Sequence, residues 1–207
     1  FVNGKRYSFQ EIIAIKELLY PYKEIFYECF KFDINLFFDG MEKIQHAFTH
    51  GLNDNIRKMD SIMKIVNLAA PSQKEMKKSR EVIDNLIGLG LHNVSKITNW
   101  PKEFIHELSY EIGECKNFFD DSEYSGWPIF KNPLRRKPFI ILNGSAYCLS
   151  IQDLFDNIYR IILKIMRNKL PEKSSEINHI QGETAEFTVG SLFKKIMFLI
   201  FSIIIIA

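Results

Sequence analysis

The segment 139–169 constrains the fold more than any other part of this 207-residue chain. Asn143-Gly144 separates two short apolar runs, and this dipeptide strongly favours a two-residue β-hairpin turn with positive φ at both positions. Ser150 follows the second run and is a preferred N-cap residue, because its hydroxyl accepts a hydrogen bond from the first helical turn. Apolar residues then recur at helical spacing up to Met166. The segment therefore predicts a hairpin followed by an amphipathic helix over 151–169.

Helical periodicity also dominates the first half of the chain. Apolar residues recur there every three or four positions, in stretches bounded by capping residues or prolines. Asp33 begins one such stretch, and Ser72 with Glu75 forms a capping box that begins another. Asn3-Gly4 predicts a second hairpin over residues 1–9. We therefore expect a mainly α, multi-helix domain with one or two small β-hairpins.

Four regions are predicted along the chain. They are a helical N-terminal region (1–113), a module of loop, hairpin and amphipathic helix (114–170), a linker with the first helix of a nuclease core (171–193), and an apolar tail (194–207). Pro101 begins the last helix of the first region and Gly113 ends it. In the third region a polar linker precedes a helix that starts near Thr184. The main boundary falls in the long aperiodic stretch 114–137, because loops of that length are uncommon inside compact domains.

Composition is that of a soluble globular protein, with 46% hydrophobic and 25% charged residues. The chain has 27 basic and 25 acidic residues, so its net charge of +2 produces no overall field that demands a nucleic-acid partner. Cys29, Cys115 and Cys148 are widely spaced and odd in number, which favours reduced thiols in a cytoplasmic protein.

Few residues of the chain suggest a catalytic or metal-binding role. His46 and His50 have the spacing of two metal ligands on one helical face, but Ala47 replaces the glutamate of an HExxH motif and no third ligand is dictated. Glu75-Met76-Lys77 matches the ExK fragment of metal-dependent nucleases, but it lies in a capped helix where Glu75 already has a structural role. We therefore predict no catalytic residue, metal, cofactor or small-molecule ligand for the chain as given.

A cluster of cations follows the aromatic residue Trp127. Arg135, Arg136 and Lys137 are consecutive, and arginine beside an aromatic ring can hold single-stranded nucleic acid by charge and stacking. These four residues are the nucleic-acid-binding candidates. The alternative is a solvated loop anchored by Trp127 and Phe139.

The segment from Trp100 to about Phe193 resembles uncharacterised bacterial proteins related to nucleases. In those proteins a hairpin-helix module precedes a restriction-endonuclease-like PD-(D/E)xK domain. The matching residues are Gly126-Trp127-Pro128, Asn132-Pro133, Lys137-Pro138-Phe139, Asn143-Gly144, Tyr147-Cys148 and the run Leu154-Phe155-Asp156-Asn157-Ile158-Tyr159-Arg160. The resemblance implies that the module is an accessory to a nuclease core, and that Glu186 lies on the opening helix of that core.

The sequence departs from this family after Glu186. Cleavage by a PD-(D/E)xK core needs an aspartate and an ExK strand to hold a divalent metal, and neither follows. The chain ends in KKIMFLIFSIIIIA instead. We therefore expect a truncated relative, a non-catalytic accessory region that contacts nucleic acid, whereas intact relatives are predicted metal-dependent nucleases.

Two alternatives stay open. Lys194 and Lys195 precede an apolar tail, and Ile196, Phe198, Ile200, Ile203 and Ile206 are its candidate membrane contacts. The tail is shorter than the roughly twenty residues that span a bilayer, so it predicts at most a membrane-associated protein. The other alternative is a helical domain that binds another protein.

Overall fold

The computed structural model describes residues 5–66, 72–87, 89–114, 132–187 and 190. Its helices are α1 (Lys5–Leu19), α2 (Lys23–Phe30), α3 (Ile34–Thr49), α4 (Gly51–Val66), α5 (Gln73–Ile87), α6 (Val94–Ile97), α7 (Lys102–Glu107), α8 (Ile151–Lys169) and α9 (174–187). Three short strands form one sheet: β1 (Ser109–Tyr110), β2 (Phe139–Leu142) and β3 (Ser145–Cys148). The prediction of a mainly α protein with a small β element is confirmed.

The predicted helix starts are confirmed at three places. The Asp33 carboxylate accepts a hydrogen bond from the backbone N–H of Asn35 before α3. The Ser72 N–H donates to Glu75 Oε2 at 2.6 Å, and the Glu75 N–H donates to Ser72 Oγ at 3.3 Å, which completes the capping box of α5. The Ser150 hydroxyl accepts from the Asp153 N–H at the start of α8. Each cap satisfies backbone donors that have no partner within the helix.

Aromatic rings form the centre of the core between α2, α3 and α7. The Phe26 ring is fully buried, and its centroid lies 4.7 to 6.3 Å from those of four other phenylalanines: Phe30, Phe32, Phe37 and Phe104. Trp100 stacks on Phe37 at 5.4 Å, and its indole N–H donates to the carbonyl of Leu36. These edge and stacked contacts add to the burial free energy of the rings.

Helix α8 joins the two halves of the chain. It packs against α1, α2 and α3, and Leu154, Ile158 and Ile162 on its inner face are fully buried. The core therefore contains residues from both sides of the predicted boundary in 114–137. The division into four regions stays a prediction.

The prediction of a helix that continues from Pro101 to Gly113 is wrong. Helix α7 ends at Glu107, and β1 follows and pairs in parallel with β2, so that Ser109 lies opposite Phe139. The Leu108 carbonyl accepts a hydrogen bond from the Phe139 N–H at 3.1 Å, and pairing with a strand distant in sequence replaces the next helical turn. Ile112, which would lie on the apolar stripe of the predicted helix, is exposed.

Three further predictions differ from the structure. Residues 5–9 are helical rather than part of the predicted hairpin, and Asn3-Gly4 lies outside the described residues. Ile56 and Met63 of α4 are exposed, although their helical spacing with Ile62 predicts a buried position. The residues after Lys173 form α9 instead of a polar linker, because buried Ile177 packs beside Tyr22, whose hydroxyl lies 3.5 Å from the Ile177 carbonyl.

The second predicted hairpin turn is confirmed and provides a test of the sheet. Asn143 and Gly144 have φ values of 50° and 75°, as a type I′ turn requires. Replacing Gly144 with valine is expected to lower the free energy of unfolding by about 1–2 kcal/mol, because a β-branched residue resists positive φ. No atom lies within 4 Å of the added Cβ, so the effect comes from backbone strain alone. An unchanged midpoint of urea denaturation would contradict the turn assignment.

Candidate functional site

A groove of about 1270 Å³ lies between α1, α3 and α9. Its apolar lining comes from Leu18, Tyr20, Pro21, Phe38, Ile180 and Phe187. Pro21 interrupts the helical chain after α1, and the following 3₁₀ turn leaves the Tyr20 ring at the surface. Helix α9 supplies the opposite wall, because Ile177 anchors one of its faces in the core.

Two aromatic residues of the groove are left open to solvent. Phe187 is 79% exposed and Tyr20 is 51% exposed, whereas Phe38, which also lines the groove, is buried. Single exposed apolar residues are common on protein surfaces, whereas two large rings that line one concave surface are a candidate for an interaction site. The groove is therefore the candidate functional site among the described residues.

Carboxylates dominate the rim of the groove. Glu17, Asp39, Glu42 and Glu183 line it together with one cation, Lys16. Lys16 Nζ lies 2.5 Å from Glu42 Oε1, and Asp39 pairs with Lys43 at 2.7 Å. Glu17 forms no ion pair with a side chain that the structure describes. Glu183 Oε2 lies 3.4 Å from His179 Nδ1. With four carboxylates against Lys16 and the neighbouring Lys43, the rim is net negative.

The predicted basic cluster is largely neutralised by carboxylates. Arg135 Nε lies 3.7 Å from Asp153 Oδ1, and Lys137 Nζ lies 2.7 Å from Glu114 Oε1. The hydrogen bond from Lys137 lowers the pKa of the Glu114 carboxyl. Arg136 is exposed and forms no ion pair within the described part of the chain. Trp127 lies outside the described residues.

The predicted Glu186 does not lie in a metal-binding arrangement within the described residues. It is exposed on α9, and no group of three or more histidine, cysteine, aspartate or glutamate side chains in the described ranges could hold a metal ion. The His46 and His50 rings are neighbours, with centroids 5.2 Å apart. His46 Nε2 lies 3.9 Å from Asp54 Oδ2, an ordinary surface contact.

The two described cysteines are free thiols without the environment of a nucleophile. Burial raises the pKa of Cys148 to about 12 and that of Cys29 to about 11. Both sulfurs are therefore protonated near neutral pH, and the thiolate is the reactive form. Cys115 lies outside the described residues.

The membrane hypothesis depends on residues that the structure does not describe. Within the described ranges, no helix combines the length and the apolar composition needed to cross a bilayer. The candidate contacts from Ile196 to Ile206 lie outside those ranges.

Comparisons of the chain with protein-family models, with curated proteins and with solved structures find no match. The resemblance to nuclease-related proteins stays a prediction for that reason. Inference about function therefore starts from the geometry of the groove.

Sequence reasoning missed the groove because it assigned most of α9 to a linker. A signal was present, since Ile177, Ile180, Thr184 and Phe187 recur at helical spacing. Polar residues between them, and Gly182, obscured that periodicity. The sequence around Tyr20 and Phe38 does not indicate which of the two rings is exposed. Their burial depends on how α1 packs against α3.

Proposed function

We propose that this chain is a non-catalytic protein-interaction domain whose groove binds an amphipathic helix with basic flanks. The observation that carries the proposal is the combination of an apolar lining, two solvent-exposed rings and a net negative rim. A helix that lays its apolar face in a hydrophobic groove is a recurrent mode of peptide recognition. The groove volume exceeds the ~300–1000 Å³ of common small-molecule sites, which favours a macromolecular ligand.

The parts of the groove have separate roles in this proposal. Tyr20 and Phe187 become buried against apolar side chains of the bound helix, which supplies most of the affinity. Glu17 and Glu183, on opposite walls, attract cations that flank the apolar stripe and fix the orientation of the helix. The same carboxylates repel phosphate groups, which disfavours nucleic acid as the ligand of this groove.

A designed peptide tests the proposal. The probe is a fluorescent helix of about five turns with leucines along one face and lysines on both flanks, and the matched peptide has glutamates in place of the lysines. We expect the lysine peptide to bind, and the glutamate peptide to bind at least tenfold more weakly. A tenfold difference in affinity corresponds to the free energy of roughly two or three ion pairs at the rim. Fluorescence anisotropy at low and high salt measures both affinities.

Reversing two charges of the groove tests the same proposal from the side of the protein. Glu17→Lys/Glu183→Lys is expected to weaken binding of the lysine peptide about tenfold. The control Glu103→Lys/Glu172→Lys makes the same change in net charge at exposed positions outside the groove and is expected to leave the affinity within about twofold of the wild type. Equal affinities for both double variants would refute the proposed site. Binding of a DNA oligonucleotide that is lost on Arg135→Ala/Arg136→Ala would support the nucleic-acid alternative instead.

A further inference from the structure

The apolar tail (194–207) continues from one wall of the groove. Helix α9 lines the groove as far as Phe187, and Gly190 lies three positions farther along the chain. Lys194 follows four positions after Gly190, so the tail begins within about 14 Å of that glycine, because an extended chain spans at most ~3.5 Å per residue. The tail therefore starts within reach of the groove.

The charge and polarity of the tail match those of the groove. Lys194 and Lys195 are the only charged residues after Glu186, and the run 196–207 is apolar except for Ser202. The groove offers the complement, an apolar lining with more carboxylates than cations on its rim. Because the run has no polar side that water would solvate, its burial is favoured.

No other segment outside the described ranges has this composition. The segment 115–131 carries two lysines but three carboxylates, and the segments 1–4 and 67–71 carry no charged side chain. The gaps at 88 and 188–189 are too short to fill a groove. The tail alone combines cations with an apolar run and lacks carboxylates.

We propose that the apolar tail folds back into the groove of its own chain and occupies the site that an external helix uses. The inference rests on the proposed function of the groove and names a regulator of it. Gly190 suits the reversal that this contact needs, since glycine readily adopts the left-handed conformation that ends many helices. No neighbour lies within 4 Å of a Cβ placed at Gly190, so the reversal has room.

The reversal aligns the tail with the groove. Residues equally far from the turn lie side by side in an αα-hairpin, which brings Lys194 level with Glu186 and Met197 level with Glu183. Both carboxylates are exposed, so the tail lysines pair with them. The apolar residues that follow cover the open rings of the groove.

Covalent connection favours the chain's own tail over a free ligand. A short linker gives the tethered segment an effective concentration on the order of 1 mM. A tail that occupies the groove for about nine-tenths of the time lowers the apparent affinity for an external helix about tenfold. The tail therefore acts as an autoinhibitory segment that a partner has to displace.

Hydrogen exchange of the tail in the full chain tests the proposal. We expect the amides of 196–207 to exchange about fivefold more slowly in the wild type than in the groove variant Glu17→Lys/Glu183→Lys, at a rate independent of protein concentration. The control Glu103→Lys/Glu172→Lys reverses two exposed charges outside the groove and should keep the wild-type rate. Mass spectrometry of peptic fragments measures the exchange.

Reversing the charges on both sides should restore the contact. Lys194→Glu/Lys195→Glu, added to the groove variant, is expected to return the exchange of the tail to within about twofold of the wild-type rate, because the ion pairs re-form with opposite sign. Exchange that stays as fast as in the groove variant would show that these charges do not pair.

The fluorescent lysine peptide gives an independent measurement. The tail variant Phe198→Asp/Phe201→Asp is expected to bind the peptide about tenfold more tightly than the wild type, because its groove is no longer occupied. Met76→Asp/Ile83→Asp makes the same chemical change at exposed positions of α5 outside the groove and should bind like the wild type. Excess lysine peptide, but not glutamate peptide, should also speed the exchange of the wild-type tail.

The other outcomes overturn the proposal and identify what failed. Equal peptide affinity of the wild type and the tail variant, with equally fast tail exchange in every variant, would refute tail docking and leave the proposed function intact. A lysine peptide that binds neither chain would refute the proposed function itself. Protection that rises with protein concentration would place the tail on another copy. Protection seen only with phosphatidylcholine–phosphatidylserine vesicles would assign the tail to a membrane surface instead.

Discussion

Replacing Gly40 with alanine is expected to lower the free energy of unfolding by about 3 kcal/mol, as severe overpacking does in other cores. Gly40 lies inside α3, where alanine would normally be favoured. A Cβ at this position would overlap Nε1, Cε2 and Cζ2 of Trp100. The indole is held in place by stacking on Phe37 and by its hydrogen bond to the Leu36 carbonyl, so it cannot move aside without losing both contacts. Urea denaturation followed by circular dichroism measures the change.

Gly182 in α9 is the matched control for Gly40. No atom lies within 4 Å of a Cβ added there, so Gly182→Ala should stabilise the protein by about 0.5–1 kcal/mol through helix propensity. Adding Trp100→Leu to Gly40→Ala should destabilise less than the sum of the two single changes, because the smaller side chain makes room for the new methyl group. Additive effects would show that contact with Trp100 is not the cause.

Replacing Phe26 with alanine is expected to lower the free energy of unfolding by about 3–5 kcal/mol. The ring is fully buried and contacts other aromatic rings from α2, α3 and α7, so its loss leaves a cavity that rigid neighbours cannot fill. Tyr27 is the next residue but is 60% exposed, and Tyr27→Ala should change stability by less than about 1 kcal/mol. Similar losses for both variants in thermal and urea denaturation would contradict the orientation of α2.

Features set by neighbouring residues could be predicted from the sequence. The Ser150 cap, the Ser72–Glu75 capping box and the Asn143-Gly144 turn each depend on hydrogen bonds or φ angles within a few residues. They appear in the structure at the predicted positions. The amphipathic pattern of α8 likewise identified its buried face, because most of its apolar residues lie along one stripe.

Features that depend on distant partners could not be predicted in the same way. The chain leaves the helical conformation at Ser109 because β2 offers backbone partners about thirty residues later. Asn3-Gly4 has the same turn signal as Asn143-Gly144, yet the residues that follow it belong to α1. The groove depends on three helices at once, so its lining residues share no local pattern.

The contact between Tyr22 and Ile177 has a consequence for synthesis of the chain. These residues are separated by 155 positions, and α8, which packs against the first three helices, also emerges late. At translation rates of about 5–20 residues per second, the phenylalanine-rich surfaces of α2 and α3 are exposed for about 8 to 30 s before their cover leaves the ribosome. We expect a nascent chain with such a delay to bind ribosome-associated chaperones through these surfaces.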